Sequence, residues 1–101
     1  RLESHGEGHF SCGWLLTGDW VFSLDALRHW FDQLDVNASN VVRAKALIHT
    51  DQGHYVLNWR DGVLSEMPTR ALEESRLELI TELKSDADAL ESSLLRCRSH
   101  G

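Results

Sequence analysis

The sequence is poor in cysteine, and this scarcity excludes one kind of site. Its two cysteines, Cys12 and Cys97, lie far apart and form no C-x-x-C pair. A structural zinc site of the cysteine-rich kind is therefore excluded. We expect both thiols to be reduced and half-buried, as in an intracellular protein. A disulfide or a redox pair is the alternative.

Positive charge and long apolar runs are also scarce. The chain has 10 basic and 16 acidic residues, and its net charge is −6. Because nucleic-acid binding needs Lys and Arg, neither a nucleic acid nor an anionic membrane is expected as a partner. No apolar run approaches the ~20 residues that a transmembrane helix needs. The sequence opens on Arg1 without a signal peptide, so we expect a fragment of a longer cytoplasmic protein.

Motifs for phosphate binding and catalysis are lacking too. There is no G-x-x-x-x-G-K-[ST] loop and no dinucleotide fingerprint. No Ser–His pairing has the context of a catalytic triad. The acidic residues Glu73, Glu74 and Glu78 are interpreted as a solvated face. We therefore expect no catalytic residues, no bound cofactor, no enzymatic activity and no GTP binding in this chain.

What is present is a pattern typical of one small α+β domain. Apolar residues alternate over residues 10–16, which predicts a strand. Ser23 is suited to cap a helix whose apolar positions recur at three- and four-residue spacing as far as Leu34. Residues 35–40 are rich in Asn, Ser and Asp and predict a loop. A second helix is predicted to begin at a Ser85 cap.

The middle of the chain predicts a β-hairpin. Residues 41–49 and 54–59 flank a four-residue loop, and small residues oppose large ones if His49 faces His54. Asp61-Gly62 is a turn signal, and residues 63–67 and 77–80 predict further strands. The expected fold is α+β, with a small antiparallel sheet and two helices packed on one face. The side chains predicted to be substantially buried are Trp14, Leu27, Trp30, Ile48, Tyr55, Leu57, Trp59, Leu90 and Leu94.

Histidines are the candidate metal ligands. His5 and His9 lie in a glycine-containing segment, and His49 and His54 are predicted cross-strand neighbours. Imidazoles at such spacings could bind zinc. The alternative, which we favour, is that all four are solvated. Ordering a flexible segment opposes binding, so any zinc is expected to bind weakly.

Several segments together resemble one family. The run Val41-Val42-Arg43-Ala44-Lys45-Ala46 resembles the "R-x-K-G" strand in the C-terminal domain of CobW-like (cobalamin synthesis) proteins. Asn58-Trp59, Ser75-Arg76-Leu77-Glu78-Leu79-Ile80 and the closing Leu94-Leu95-Arg96-Cys97 resemble segments that follow there. Ala46 departs from the usual glycine. Thr81-Glu82 departs from a glycine and a basic residue, as in a divergent subgroup. Residues 1–9 are polar, contain glycine and show no hydrophobic period, so they are interpreted as a flexible His/Gly linker or tail. The resemblance implies that residues 10–101 are a CobW C-terminal-like domain.

The resemblance implies a GTPase metallochaperone as the parent protein. Its N-terminal domain would hold GTP and magnesium and carry the Walker motif and a C-x-C-C metal motif. Members of the family are linked to zinc or cobalt delivery or to metallocofactor assembly. The implied partners of this chain are the N-terminal GTPase domain of the same protein and a client metalloprotein. We therefore expect a regulatory or partner-binding domain. The alternative is a free-standing protein-interaction or metal-sensing domain.

Overall fold

A computed structural model describes residues 1–17, 19–37 and 40–99. Its strands are β1 (Leu2–Gly6), β2 (His9–Leu16), β3 (Val41–Thr50), β4 (Gly53–Arg60), β5 (Val63–Pro68) and β6 (Ser75–Thr81). Its helices are α1 (Leu24–Asp32), α2 (Leu34–Asn37) and α3 (Ala87–Leu95). The strands form one antiparallel sheet in the order β1-β2-β6-β3-β4-β5. The predicted α+β class is confirmed.

The predicted hairpin register is also confirmed. His49 pairs with His54 and Ala44 with Trp59 in the β3–β4 ladder. Side chains alternate between the two faces of a strand, so this register directs Ala44, Ala46 and Ile48 to one face. All three are buried. A slip of one residue would place Lys45 in the core instead, and this explains why a single register is stable.

The core lies between this face of the sheet and helices α1 and α3. Eight of the nine side chains predicted to be buried are buried, and Tyr55 is only half-buried. Its neighbour across the ladder is Pro68 on the edge strand β5, so little chain covers it. The ring N–H groups of Trp14 and Trp30 donate to Glu91 (3.1 Å) and Ser93 (2.8 Å) of α3, as buried indoles require.

Helix α1 begins as predicted, whereas α3 does not. The Ser23 hydroxyl accepts a hydrogen bond from the Ala26 N–H, so Ser23 is the N-cap. For α3 the predicted Ser85 cap is wrong. The Asp86 carboxylate accepts from the Ala89 N–H instead, and the helix starts one residue later than expected. Because Asp and Ser are equally good N-caps, the packing of the helix decides where α3 begins. A start at Ala87 places Ala87 and Leu90 in the core.

The loop predicted over residues 35–40 begins as one helical turn, α2. Leu34 is fully buried and ties this turn to the core. Residues 38 and 39 lie outside the described residues.

The first residues differ from the expected unstructured linker. Leu2–Gly6 is strand β1, hydrogen-bonded along the edge of β2, and Glu7 and Gly8 form the turn with φ of 53° and 79°. Two successive positive φ values suit a two-residue hairpin turn. Arg1 reaches α3, where its guanidinium donates to Asp88 at 2.6 Å. The prediction that residues 1–9 are flexible and lack regular structure is therefore wrong. A linker role for residues 1–9 between two domains stays a prediction.

Candidate functional site

One face of the sheet is largely uncovered in the part of the chain that the structure describes. Helices α1 and α3 pack on the opposite face. Over the uncovered face the loop of residues 69–74 reaches His54, whose Nδ1 accepts a hydrogen bond from the Leu72 N–H at 3.2 Å. We call this surface the open face.

An apolar row crosses the open face at right angles to the strands. The ladders align Leu15, Arg76, Leu47, Val56 and Met67 in one line from β2 to β5. With strands spaced ~4.8 Å apart, the line is about 19 Å long. Leu15 and Met67 are 59% and 66% exposed. We call the four apolar residues of this line the apolar row; Arg76 lies among them and donates to Glu74 at 2.6 Å.

A cationic groove lies beside the apolar row. It has a volume of about 590 Å³, and its lining includes Arg43 and Lys45 from β3 and Arg60 from β4. These three cations form no ion pair with any residue that the structure describes, although Lys45 lies opposite Glu78 in the ladder. Asp61 and Glu78 also line the groove, so its charged side chains sum to +1.

A second depression of about 360 Å³ lies at the β1 end of the open face. It exists because Gly13 has no side chain between Leu2 and Leu15. Its other lining residues include Leu47, so it continues the apolar row. The glycine thus leaves room for a side chain from outside the domain.

Charge is distributed unevenly between the open face and the rest of the molecule. The open-face side chains of the strands include four cations (Arg43, Lys45, Arg60 and Arg76) and one anion, Glu78. Glu74 accepts from Arg76, and Asp61 lines the cationic groove, so the charged side chains at the open face sum to +1. Since the whole chain is −6, the remainder carries −7.

The structure separates the first pair of candidate metal ligands. His5 pairs with Phe10, and Gly6 pairs with His9. Successive residues of a strand point to opposite faces, so His5 lies on the helix side and His9 on the open side. The His5 ring stacks on Phe10 with 4.2 Å between centroids. One zinc ion cannot contact both imidazoles in this arrangement.

The second pair of candidate ligands is brought together. The rings of His49 and His54 stack with their centroids 4.0 Å apart and their planes within 9° of parallel. Ring nitrogens bind metals in the plane of the ring, so parallel stacked rings must rotate before they can share an ion. Burial and the neighbouring His49 lower the pKa of His54. Among the described residues no group of three or more His, Cys, Asp or Glu side chains could hold a metal. Zinc binding by either pair stays a prediction.

The cysteines are both free thiols. Burial raises the pKa of Cys12 to about 11 and that of Cys97 to about 11. Only a thiolate is a strong nucleophile or metal ligand, so both groups are poorly reactive at neutral pH. The Cys97 thiol donates to the carbonyl oxygens of Ala26 and Ser93 and joins α1 to α3.

The sequence contained a signal for the open face, namely polar and basic residues that alternate with apolar ones along β3. Arg43, Lys45 and Leu47 alternate with buried residues along β3. The acidic residues that looked clustered in sequence are divided: Glu78 lies on the open face, and Glu73 and Glu74 lie in the loop after β5. No helix in the described part of the chain is long and apolar enough to cross a membrane.

These features define an α+β domain whose most distinctive surface is an uncovered, cationic sheet face. Residues 11–98 match the model of the cobalamin synthesis protein CobW C-terminal domain. The chain therefore belongs to the CobW C-terminal domain family.

Comparison with individual proteins agrees with this assignment. The chain is 31% identical over 99 residues to the zinc chaperone YeiR of Escherichia coli (strain K12), and the match spans 97% of the chain and 29% of YeiR. It also resembles the crystal structure of Zn(II)-bound YjiA GTPase from E. coli, with a TM-score of 0.72, 13% identity and coverage of 92% of this chain and 30% of YjiA. A Zn(II)-bound triple mutant of YjiA gives a TM-score of 0.74 at the same identity and coverage. The chain thus spans less than a third of the length of these proteins.

Proposed function

We propose that this chain is the partner-binding domain of a GTP-binding metallochaperone and that it binds its partner through the open face. The observation that carries this proposal is the apolar row. Leu15 and Met67 are large apolar side chains more than half exposed on a sheet face that helices leave uncovered. They lie at the two ends of the row, and the half-buried Leu47 and Val56 between them extend the apolar surface. Extended exposed apolar surfaces are typical of interaction sites.

The family and the relatives support the parent activity. YeiR is a zinc chaperone and YjiA is a GTPase, and each is more than three times as long as this chain. In the proposed parent, GTP and magnesium bind in an N-terminal domain, and zinc is the cargo rather than a resident cofactor. The partner of the open face is then that GTPase domain or a client metalloprotein, and the protein acts in the cytoplasm.

A metal-sensing domain is a second candidate, favoured by one observation. His49 and His54 are adjacent side chains, and their rings could bind one ion after rotation. The coding sequence upstream of Arg1 discriminates between the two candidates. A P-loop and a C-x-C-C motif there support the metallochaperone, whereas their absence supports a separate sensor.

Site-specific photo-crosslinking tests whether the open face binds a partner. A benzophenone amino acid replaces Leu15 in the full-length protein, which is expressed in its native host. After irradiation, mass spectrometry identifies the crosslinked peptides. The matched control places the same amino acid at Ser92, an exposed residue of α3 on the other side of the sheet. We expect crosslinks from Leu15 to the GTPase domain or to a metalloprotein, with few from Ser92. Equal yields at the two positions would refute the proposal.

A further inference from the structure

The open face is positive on a molecule that is otherwise strongly negative. Its charge is +1 against −7 for the remainder of the chain. Solvent-exposed charges act over about 10 Å at moderate ionic strength, and the molecule measures 38 × 24 × 22 Å. An approaching partner therefore meets a positive field only over the open face itself.

Arg43, Lys45 and Arg60 are the source of this field. They come from two strands paired in register and converge on the cationic groove, whose lining also includes the carboxylates of Asp61 and Glu78, so that its net charge is +1. By contrast, Arg28 on the helix side has a partner that joins two elements of the fold. Arg28 of α1 donates to both carboxylate oxygens of Glu66 in β5 at 2.7 and 2.8 Å. The groove cations have no comparable structural role among the described residues.

The apolar row lies next to the cationic groove. Lys45 and Leu47 are two residues apart on the same face of β3, so the two features are separated by about 7 Å. A ligand that covers both must carry carboxylates beside apolar groups at a similar distance. Side chains of a protein segment have this spacing.

We propose that the open face binds an acidic protein segment whose apolar side chains cover the apolar row and whose carboxylates occupy the cationic groove. This proposal rests on the proposed function and specifies the chemistry of the partner. The same cations disfavour a basic partner segment, because its Lys and Arg side chains would be repelled by Arg43, Lys45 and Arg60 at the groove.

Two other anionic partners fit less well. A membrane and a nucleic acid both carry negative charge well beyond the borders of the open face. They would therefore also approach the remainder of the chain, which carries −7. A second copy of this chain could offer its acidic side to the open face, but such a contact is head-to-tail and leads to open chains of molecules rather than a closed dimer.

The proposal is tested with three synthetic peptides and the 101-residue chain. One peptide combines leucines with glutamates, and in its matched controls glutamine or lysine replaces every glutamate. Binding is measured by calorimetry, and NMR shifts locate it. Three exposed ion pairs change a dissociation constant by about tenfold. We expect the glutamate peptide to bind at the open face about tenfold more tightly than the glutamine peptide. Raising the salt concentration should remove this advantage.

Variants of the chain identify the groups responsible. The double change Arg43→Gln with Lys45→Gln should abolish the preference for glutamate. The matched control is Lys84→Gln with Arg96→Gln, which removes the same charge from exposed positions outside the open face. It should leave the preference unchanged. Circular dichroism checks that each variant is folded, and a single Arg60→Gln change provides an independent variant if the double change unfolds.

Several outcomes would overturn the proposal. Equal affinity for the glutamate and glutamine peptides would contradict it. NMR shifts confined to residues on the helix side of the sheet would contradict it as well. Tighter binding to phosphatidylserine vesicles or to a single-stranded RNA would assign the face to those ligands. Concentration-dependent assembly, seen by sedimentation without any peptide, would assign it to a second copy. One further outcome separates the two proposals. If position 15 crosslinks to a partner and the double change Arg43→Gln with Lys45→Gln leaves the crosslinking yield unchanged, the partner-binding function stands. The proposal that the partner segment is acidic is then wrong.

Discussion

His49 and His54 stack their imidazole rings across the end of the β3–β4 hairpin, 4.0 Å apart. Burial lowers the pKa of His54 in the folded protein, and the neighbouring His49 lowers it further. Protonation of His54 is therefore less favourable in the folded state than in the unfolded chain.

The first prediction concerns pH. Histidine in an unfolded chain has a pKa of about 6.5, so below this value the unfolded state binds more protons at position 54 than the folded state. The free energy of unfolding should therefore fall as pH drops from about 7 to about 5. Urea unfolding of His54→Gln should show a smaller fall over this range. The exposed Ser92 provides the control, because Ser92→Ala changes no titratable group and should keep the original slope. Identical slopes for His54→Gln and the unmodified chain would contradict the prediction.

The second prediction concerns zinc. The core consists of apolar side chains from the sheet and the helices, and the described residues contain no group of three or more metal ligands. A chelator should leave the midpoint of thermal unfolding unchanged, because the described residues offer no metal site that would stabilise the folded state. Any weak zinc binding in calorimetry should disappear in His49→Ala with His54→Ala. A drop of many degrees on chelation would reveal a structural metal site.

The third prediction concerns Gly13. A Cβ atom built here meets no heavy atom closer than the Leu77 carbonyl oxygen at 3.7 Å, an ordinary contact. Glycine inside a strand is unfavourable by about 0.5–1 kcal/mol, so Gly13→Val should preserve or raise stability by up to about 1 kcal/mol. It should also fill the depression beside Leu15 and weaken binding at the open face.

The control for Gly13 is a second glycine substitution. Gly62 has a φ of +79°, which a β-branched residue adopts only with strain. Gly62→Val should therefore lower stability by about 1 kcal/mol or more. If Gly13→Val were the more destabilising of the two in urea unfolding, the assignment of an unobstructed depression would be wrong.

The fourth prediction concerns Ala46. This residue is fully buried between Leu57 on β4 and Leu77 on β6. A larger side chain must displace its neighbours, so Ala46→Leu should lower the free energy of unfolding by about 1–3 kcal/mol. The adjacent Lys45 points to the open face, and Lys45→Leu should change stability by no more than about 0.5 kcal/mol. Comparable losses in the two variants would mean that the faces of β3 are not distinct.

The amino-acid pattern alone was sufficient for the elements whose signals are local. Small residues oppose large ones only in one register of the β3–β4 hairpin, so the pairing of His49 with His54 could be predicted. The Ser23 cap and the apolar stripe of α1 are also local signals. Their common physical reason is that hydrophobic periodicity and capping depend on residues a few positions apart.

Features that join distant residues were decided only by the tertiary structure. Strand β1 has one apolar residue, Leu2, and no alternation of apolar and polar residues. It forms because the edge of β2 offers backbone groups for hydrogen bonding and because Arg1 forms an ion pair with Asp88. The cationic groove likewise depends on Arg43 and Arg60 being adjacent in a sheet. The sequence determined which side chains of each strand share a face. The order of the strands determined which of those side chains become neighbours, and hence where cations without an ion-pair partner lie together.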